Sequence, residues 1–433
     1  MATDGLPLFP GPGTRVLLHR AQGRLDRDAF LAQARALAGR WPASPYVINL
    51  CEDRGHFLLA FAAALLGGRT TLLPPSRTPK VVAEISGQYS PATLVDDDWV
   101  GQHLATQPSS PATTANVEAP GAAHIALIGF TSGSTGQPRP NAKRWSSLVG
   151  STLRNLDVFR QHAPEATILA TVPSQHMYGI ETCVLLPLLG PYGVACERPL
   201  FPQDLAAALD RQDGPVILVT TPVHLRSFVE ARLDYRPPAL IVSATAPLPR
   251  DLAVAAEQVF RAPLMEVFGS TETCIIAHRR TATDERWSLY PDLGLVPVAE
   301  GTRVEAPYYD GPVLMHDHVE MSGERSFQVR GRSQDMVDIA GKRASLGDIT
   351  LRLQAIPGVA DAAVLQSIES GSLGVQRIIA FVVAPGLDDA AIMAALRESL
   401  DPVFLPRRLV RVDALPRNDT GKIRRDALLA LLD

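Results

Sequence analysis

The sequence predicts an α/β protein in which a large N-terminal domain of mostly parallel sheets, flanked by helices, precedes a small α+β domain. Three observations predict it. At 433 residues the chain is longer than one core, at about 100–200 residues per domain. From residue 125 onward, apolar runs each end in a polar loop, with helical segments between several of them, the alternation expected of a parallel sheet. Near residue 335 that pattern changes to short strands and helices over the last hundred or so residues, within the usual size of one domain. The division is therefore placed at residues 1–334 and 335–433.

The elements follow in order. Residues 26–40 and 55–67 carry helical spacing, and 46–50 and 70–73 read as short buried strands. The longest apolar run, Phe57 to Leu66, is far short of the ~20 residues that span a bilayer and reads as a buried helix. Residues 101–123 are rich in Pro, Ser, Thr and Ala, which predicts a surface connector. Strands are expected at 125–130, 167–172, 216–220, 240–243 and 264–268, in a parallel α/β sheet, with helices at 204–211 and 251–260. Ligands of such sheets sit beyond the carboxyl ends of the strands. The loops 131–136, 173–179, 221–224, 244–247 and 269–272 are therefore the places to look. In the small domain, helices are expected at 348–355, 390–400 and 425–431, and strands at 362–365, 378–383 and 409–412.

Composition narrows the partners. The chain is 46% hydrophobic and 20% charged, as packed proteins are, and its net charge of -4 offers no footprint for nucleic acid. Four scattered cysteines, Cys51, Cys183, Cys196 and Cys274, form no CxxC pair. They suit a reducing, cytoplasmic setting and read as buried packing groups. The Pro- and Gly-rich start, residues 1–14, lacks a basic stretch followed by an apolar core, so no signal peptide is expected.

The chemistry is concentrated in five segments. Phe130-Thr131-Ser132-Gly133-Ser134-Thr135-Gly136 follows an apolar run. Its glycines permit close backbone approach, and its amides and hydroxyls can bind oxyanions. No Gly-Lys-Ser/Thr follows, so it is not the kinase or ATPase loop. In Phe268-Gly269-Ser270-Thr271-Glu272-Thr273 a hydroxyl can hold a phosphate and a carboxylate can hold Mg2+. Asp317, in Met315-His316-Asp317-His318, offers two acceptor oxygens suited to a ribose diol. Gly331-Arg332-Ser333-Gln334-Asp335 precedes the small domain, and Pro416-Arg417-Asn418-Asp419-Thr420-Gly421-Lys422 ends it with a flexible point charge.

This ordered set resembles the adenylate-forming superfamily of acyl- and aryl-CoA synthetases, nonribosomal peptide adenylation domains and firefly luciferase. The likeness covers nearly the whole chain after residue 124 and is weak before it, where the chain is shorter than usual. The resemblance implies that Thr131, Ser132, Gly133, Ser134, Thr135 and Gly136 grip the ATP phosphates. It places His176 at the acyl pocket mouth, Ala244, Thr245, Ala246 and Pro247 along adenine and acid, and Phe268 beside the adenine, with Gly269 and Ser270 in the same segment. Thr271 and Glu272 take the α-phosphate and Mg2+ positions, and Asp317 and Arg332 the ribose contacts. Asp335 is the implied hinge of a mobile lid domain, and Lys422 the lysine that closes over the reacting atoms. The loop departs from the usual Pro-Lys-Gly at Pro138-Arg139-Pro140, which leaves Lys143 or Arg144 open as phosphate cations or as a solvated basic turn. Ser345 stands where the family commonly has a carboxylate.

The implied reaction joins a carboxylic acid to ATP as acyl-AMP, then passes the acyl group to coenzyme A or to the phosphopantetheine of an acyl carrier protein. The compact N-terminal half, with His176, Tyr178, His224 and Thr245, favours an aryl acid such as a hydroxybenzoate over a medium-chain or 3-hydroxy fatty acid. The basic run from Arg407 to Arg425 suits a carrier protein or coenzyme A phosphates, or is a solvated face. Two other classes compete: a luciferase-like oxidoreductase and a catalytically silent ATP- or acid-binding protein.

Overall fold

A computed structural model describes residues 8–21, 23–105, 120–132, 138–332, 336–339, 342–366, 377–418, 421 and 423–432. The expected strands of the large domain are present, but they are divided between two sheets. Thr70–Leu73 pairs in parallel with Ile125–Ser132, which draws the latter into a five-stranded sheet with Ala92–Val95, Tyr46–Asn49 and Pro138–Arg144. An eleven-stranded sheet takes the others. Its parallel centre runs Val16–Arg20, Tyr192–Ala195, Ala166–Ala170, Val216–Thr220, Leu240–Ser243, Leu264–Ser270, and antiparallel strands extend both edges. The mostly parallel sheets expected from sequence are present; the apolar runs fix strands, but not which of the two sheets each one joins.

Burial explains the sequence pattern. The strands Ala166–Ala170, Val216–Thr220 and Leu240–Ser243 are buried at every position, as parallel strands covered on both faces must be. The helix Arg54–Leu66 is apolar nearly all round because it is buried nearly all round. Asp53 caps it by accepting from His56 N at 2.9 Å. The helix Asp97–Ala105 extends into the segment read as a connector, and residues 106–119 lie outside the described residues.

The small domain matches its expected elements closely. Asp361–Gln366 lies antiparallel to Ile378–Val383, which lies parallel to Arg408–Arg411. Alternation with period two sorts the strand residues onto two faces. Ala362, Val364, Ala380 and Val382 pack with Ile349, Leu353, Ile392 and Leu396 of the helices Leu346–Gln354 and Asp389–Ser399. Ala363, Leu365 and Phe381 pack with Leu428 of the last helix, Arg425–Leu429. Ser345 caps the first helix by accepting from Gly347 N at 3.1 Å, a local use for the hydroxyl that stands in place of a carboxylate. No helix among the described residues is long and apolar enough to cross a membrane.

Candidate active site

Because the central strands are parallel, four of the five loops singled out above leave the same edge of one sheet. The fifth begins at the end of Ile125–Ser132 in the other sheet. A Cβ placed on Gly129 of that strand would lie 3.9 Å from Thr271 Cγ2, so the two sheets bring the phosphate-loop strand against the Thr271–Glu272 turn. Thr131 and Ser132 are the last residues of their strand, paired with Arg139 and Pro138. Gly133, Ser134, Thr135 and Gly136 lie outside the described residues.

The hairpin that carries Thr271 and Glu272 is the most tightly specified part of the site. Its ladder slips between Phe268 and Gly269. A Cβ on Gly269 would sit 2.0 Å from the Cys274 carbonyl oxygen, so only glycine fits. Cys274 itself has φ 61°. Ser270 N donates to Thr273 Oγ1 at 3.0 Å, and Thr273 N returns a bond to Ser270 Oγ at 3.2 Å. Lys143 Nζ donates to the Glu272 carbonyl, and the Tyr309 hydroxyl to that of Thr273. Behind the turn lies Glu181, 1% exposed, on the π-helical segment Ile180–Leu185. Its carboxyl accepts from Ile275 N at 3.0 Å, Ser151 Oγ at 2.6 Å and Asn155 Nδ2 at 3.5 Å. Burial pushes its pKa up to about 7, against the pull of those bonds and of the Lys143 ammonium.

Two further networks place the adenine-side residues. Phe268 is half-buried against Trp287, with ring centroids 5.1 Å apart, and Arg279 stacks over Trp287 at 4.3 Å while bonding Glu266. Buried Glu266 also accepts from Leu248 N at 3.1 Å, which ties down the loop holding Thr245, Ala246 and Pro247. Thr245 has φ 81°, Thr245 and Ala246 are half-buried, and Pro247 is exposed. Asp317, 7% exposed, faces Arg332 in the antiparallel ladder, so the two residues assigned to ribose are register partners.

The acid-side residues differ in character. His176 is half-buried and caps the helical turn Met177–Gly179, its carbonyl accepting from Ile180 N at 2.8 Å. Tyr178 is buried, and its hydroxyl is committed to scaffold carbonyls, Val242 O at 2.9 Å and Thr220 O at 3.3 Å. It offers a ring wall, not a polar contact for an acid. His224 Nδ1 lies 2.8 Å from Thr171 Oγ1, and burial, then Arg198, lowers its pKa to about 4, so the ring is neutral. Gly129, Glu181, Lys143 as a clamp, and Tyr309 were not assigned these places from sequence. Glu181 did leave a signal, a lone carboxylate at the head of the apolar run Ile180 to Leu189.

The departures in the phosphate loop resolve into three fates. Arg139 is exposed, Arg144 pairs with Asp310, and Lys143 is 5% exposed against the hairpin turn. At the other end of the chain, Lys422 and Asp335 lie outside the described residues. The residue before Lys422 is described: a Cβ on Gly421 would be 3.2 Å from Val223 Cγ2 and 3.8 Å from Thr221 Oγ1. The small domain's loop thus rests on the turn after Val216–Thr220. Arg417 braces that loop by donating to both oxygens of Asp361, at 2.8 and 2.7 Å, and to Gly421 O at 2.6 Å. The basic run is partly neutralised, with Arg411 on Asp389 and Arg424 on Asp426, while Arg407 and Arg408 are exposed.

Comparison with known proteins gives consistent matches. Residues 59–306 match the AMP-binding enzyme family, and residues 352–422 its C-terminal domain. The 4-coumarate–CoA ligase of Rhodobacter capsulatus is 30% identical over 68% of this chain and 73% of its own. The indoleacetate–CoA ligase of Aromatoleum aromaticum is 24% identical over 82% and 78%. In fold, ATP-bound MatB of Rhodopseudomonas palustris superposes with a TM-score of 0.80 at 18% identity, covering 97% of this chain and 96% of that one.

Proposed function

The chain belongs to the AMP-binding enzyme family and is an AMP-forming acid–thiol ligase; from that premise we propose that it activates an aryl acid, such as a hydroxybenzoate, and passes it to coenzyme A or to a carrier-protein phosphopantetheine. The observation that carries the reading is the meeting of Gly421 with Thr221 and Val223 at the strand ends. It brings the loop that holds Lys422 to the edge where the acid and nucleotide loops converge.

In the proposed mechanism the carboxylate oxygen attacks the α-phosphorus and pyrophosphate leaves. A thiol then attacks the acyl carbon and AMP leaves. Both partners of the first step are anions, so the barrier is largely electrostatic and positional. Thr271 bonds the α-phosphate, Asp317 and Arg332 hold the ribose, and Phe268 flanks the adenine. Lys422 acts as a cation at the oxygens where charge develops, and Asp335 is the pivot between the two steps. The donor set fits Mg2+: Glu272 is a half-buried carboxylate beside a hydroxyl. Glu272 would hold it, and the ion would neutralise phosphate charge there.

Support for an aryl acid comes from the shape chemistry of the pocket wall. Tyr178 presents its ring, and His224 is neutral and pinned to Thr171, which suits a flat ring better than a second charge. The coumarate and indoleacetate ligases among the relatives act on aryl acids. The test is acid-dependent pyrophosphate release across aryl, medium-chain and 3-hydroxy aliphatic carboxylates, followed by thioester formation with each thiol. Higher kcat/KM for aryl acids is expected, and a preference for aliphatic chains would overturn the substrate reading.

A further inference from the structure

Lys143 lies on the strand Pro138–Arg144 of the five-stranded sheet, yet its ammonium crosses to the eleven-stranded sheet and bonds the Glu272 carbonyl. Lysine is almost never this buried without a fixed partner, and at 5% exposure its charge is not a solvated surface charge. Three elements fix the main chain of the turn in succession: Lys143 at Glu272 O, Tyr309 at Thr273 O and Glu181 at Ile275 N. The ammonium also acts on the buried Glu181 carboxyl, pulling its pKa down against the larger effect of burial. Of the three clamps, Lys143 alone comes from the strand that the phosphate loop leads into.

We propose that Lys143 is a positioning residue of the adenylating centre: by holding the Glu272 carbonyl it aims the Thr271 hydroxyl and the Glu272 carboxylate at the nucleotide phosphates. The inference deepens the adenylation reading and rests on it for its catalytic consequence. A turn residue whose carbonyl is held by Lys143 is tied to the strand Pro138–Arg144. The Thr271–Glu272 turn is thereby anchored across the boundary between the two sheets. A charge-assisted bond of this kind is among the stronger ones in a partly buried setting.

The test compares Lys143→Met, which keeps an unbranched apolar stem one atom shorter and removes charge and donor, with Lys143→Arg, which keeps both. Three quantities are read: amide hydrogen exchange of the peptide 268–276, kcat and KM for acid-dependent pyrophosphate release, and the melting temperature. For Lys143→Met we expect at least tenfold faster exchange confined to residues 270–275. With it we expect at least a tenfold fall in kcat, with the acid KM within twofold of the parent, and recovery of at least half of the logarithmic loss in Lys143→Arg. Unchanged exchange in the turn, or unchanged kcat in folded Lys143→Met, would overturn the proposal. So would a loss of activity that merely follows the unfolded fraction at the assay temperature. If the parent released no pyrophosphate with any acid, the adenylation reading would fall, while the exchange comparison would still decide whether Lys143 fixes the turn.

Discussion

The two halves of the site are held in opposite ways. The Ser270–Cys274 hairpin is fixed from outside itself, by Lys143 of one sheet, Glu181 of a buried π-helical segment, and Tyr309. The 417–423 loop is fixed from within its own domain, by the Arg417–Asp361 pair and the bond to Gly421 O. Among the described residues of that loop, Gly421 lies against Val223 and Thr221 of the large domain. The difference separates two tasks. Groups that bind phosphate gain from being immobile before the nucleotide arrives. A cation that must arrive for one step and withdraw for the next has to be rigid in its own loop but weakly attached to the opposite domain.

Substitutions in each half should therefore fail differently. The largest effect is expected for Gly269→Ala, because the new Cβ would meet the Cys274 carbonyl at 2.0 Å. Denaturant unfolding should show a loss of about 3 kcal/mol, at the upper end of overpacking, together with at least ~100-fold lower pyrophosphate release. Near-parental values of both would show that the hairpin is not rigid. Lys422→Ala should lose a comparable ~100-fold in adenylation, the scale of one oriented transition-state contact, while its melting temperature stays that of the parent. Undiminished pyrophosphate exchange would break the assignment. Arg417→Ala should fall between the halves: about tenfold slower adenylation from a loosened loop, and roughly 1 kcal/mol of stability, because a partly exposed pair contributes little more than that. Equal activity would show that the loop is held by something other than Arg417.

How much of this was legible in the sequence follows the same division. Strand and helix positions could be read because apolar runs and turn residues are local signals. The helix Leu346–Gln354 and the strand Ile378–Val383 needed no tertiary information. The partition into two sheets could not be read, since the pairing of Thr71 with Leu127 is a contact between segments far apart in the chain. The hairpin motif was visible as residue types, but the need for glycine at 269 emerges only from its approach to the Cys274 carbonyl. What holds the hairpin was not visible. Lys143 reads in sequence as one of several cations after the loop and Glu181 as a lone carboxylate heading an apolar run, and burial is what assigns both to the hairpin. For Tyr178 the residue type did not reveal how its hydroxyl is used: it serves the carbonyls of Thr220 and Val242, which leaves the ring as the part that can face a substrate.

The smallest expected effect, and the sharpest probe of how the fixed half is fixed, concerns the protonation of Glu181. Its folded pKa, about 7, lies above the ordinary 4.5, so the native state binds this proton more tightly than the unfolded chain. The stabilisation it contributes is complete below about pH 4.5 and is lost as pH rises through 7, a change on the order of 3 kcal/mol if no other group compensates. Ser151 can serve either state. It donates to the carboxylate at 2.6 Å, or it accepts from the neutral acid and donates to Ile275 O at 3.2 Å. Glu181→Gln reproduces the neutral arrangement, with its carbonyl oxygen accepting from Ile275 N and its amide donating to Ser151. The variant should therefore melt a few degrees above the parent at pH 8.5 and close to it at pH 5. Its pyrophosphate release at pH 7 should stay within about threefold, because the turn remains clamped by hydrogen bonds and not by charge. Parallel melting curves across that range would mean that Glu181 keeps its charge in the folded protein, and that the hairpin is held by an ion pair with Lys143 and not by a neutral network.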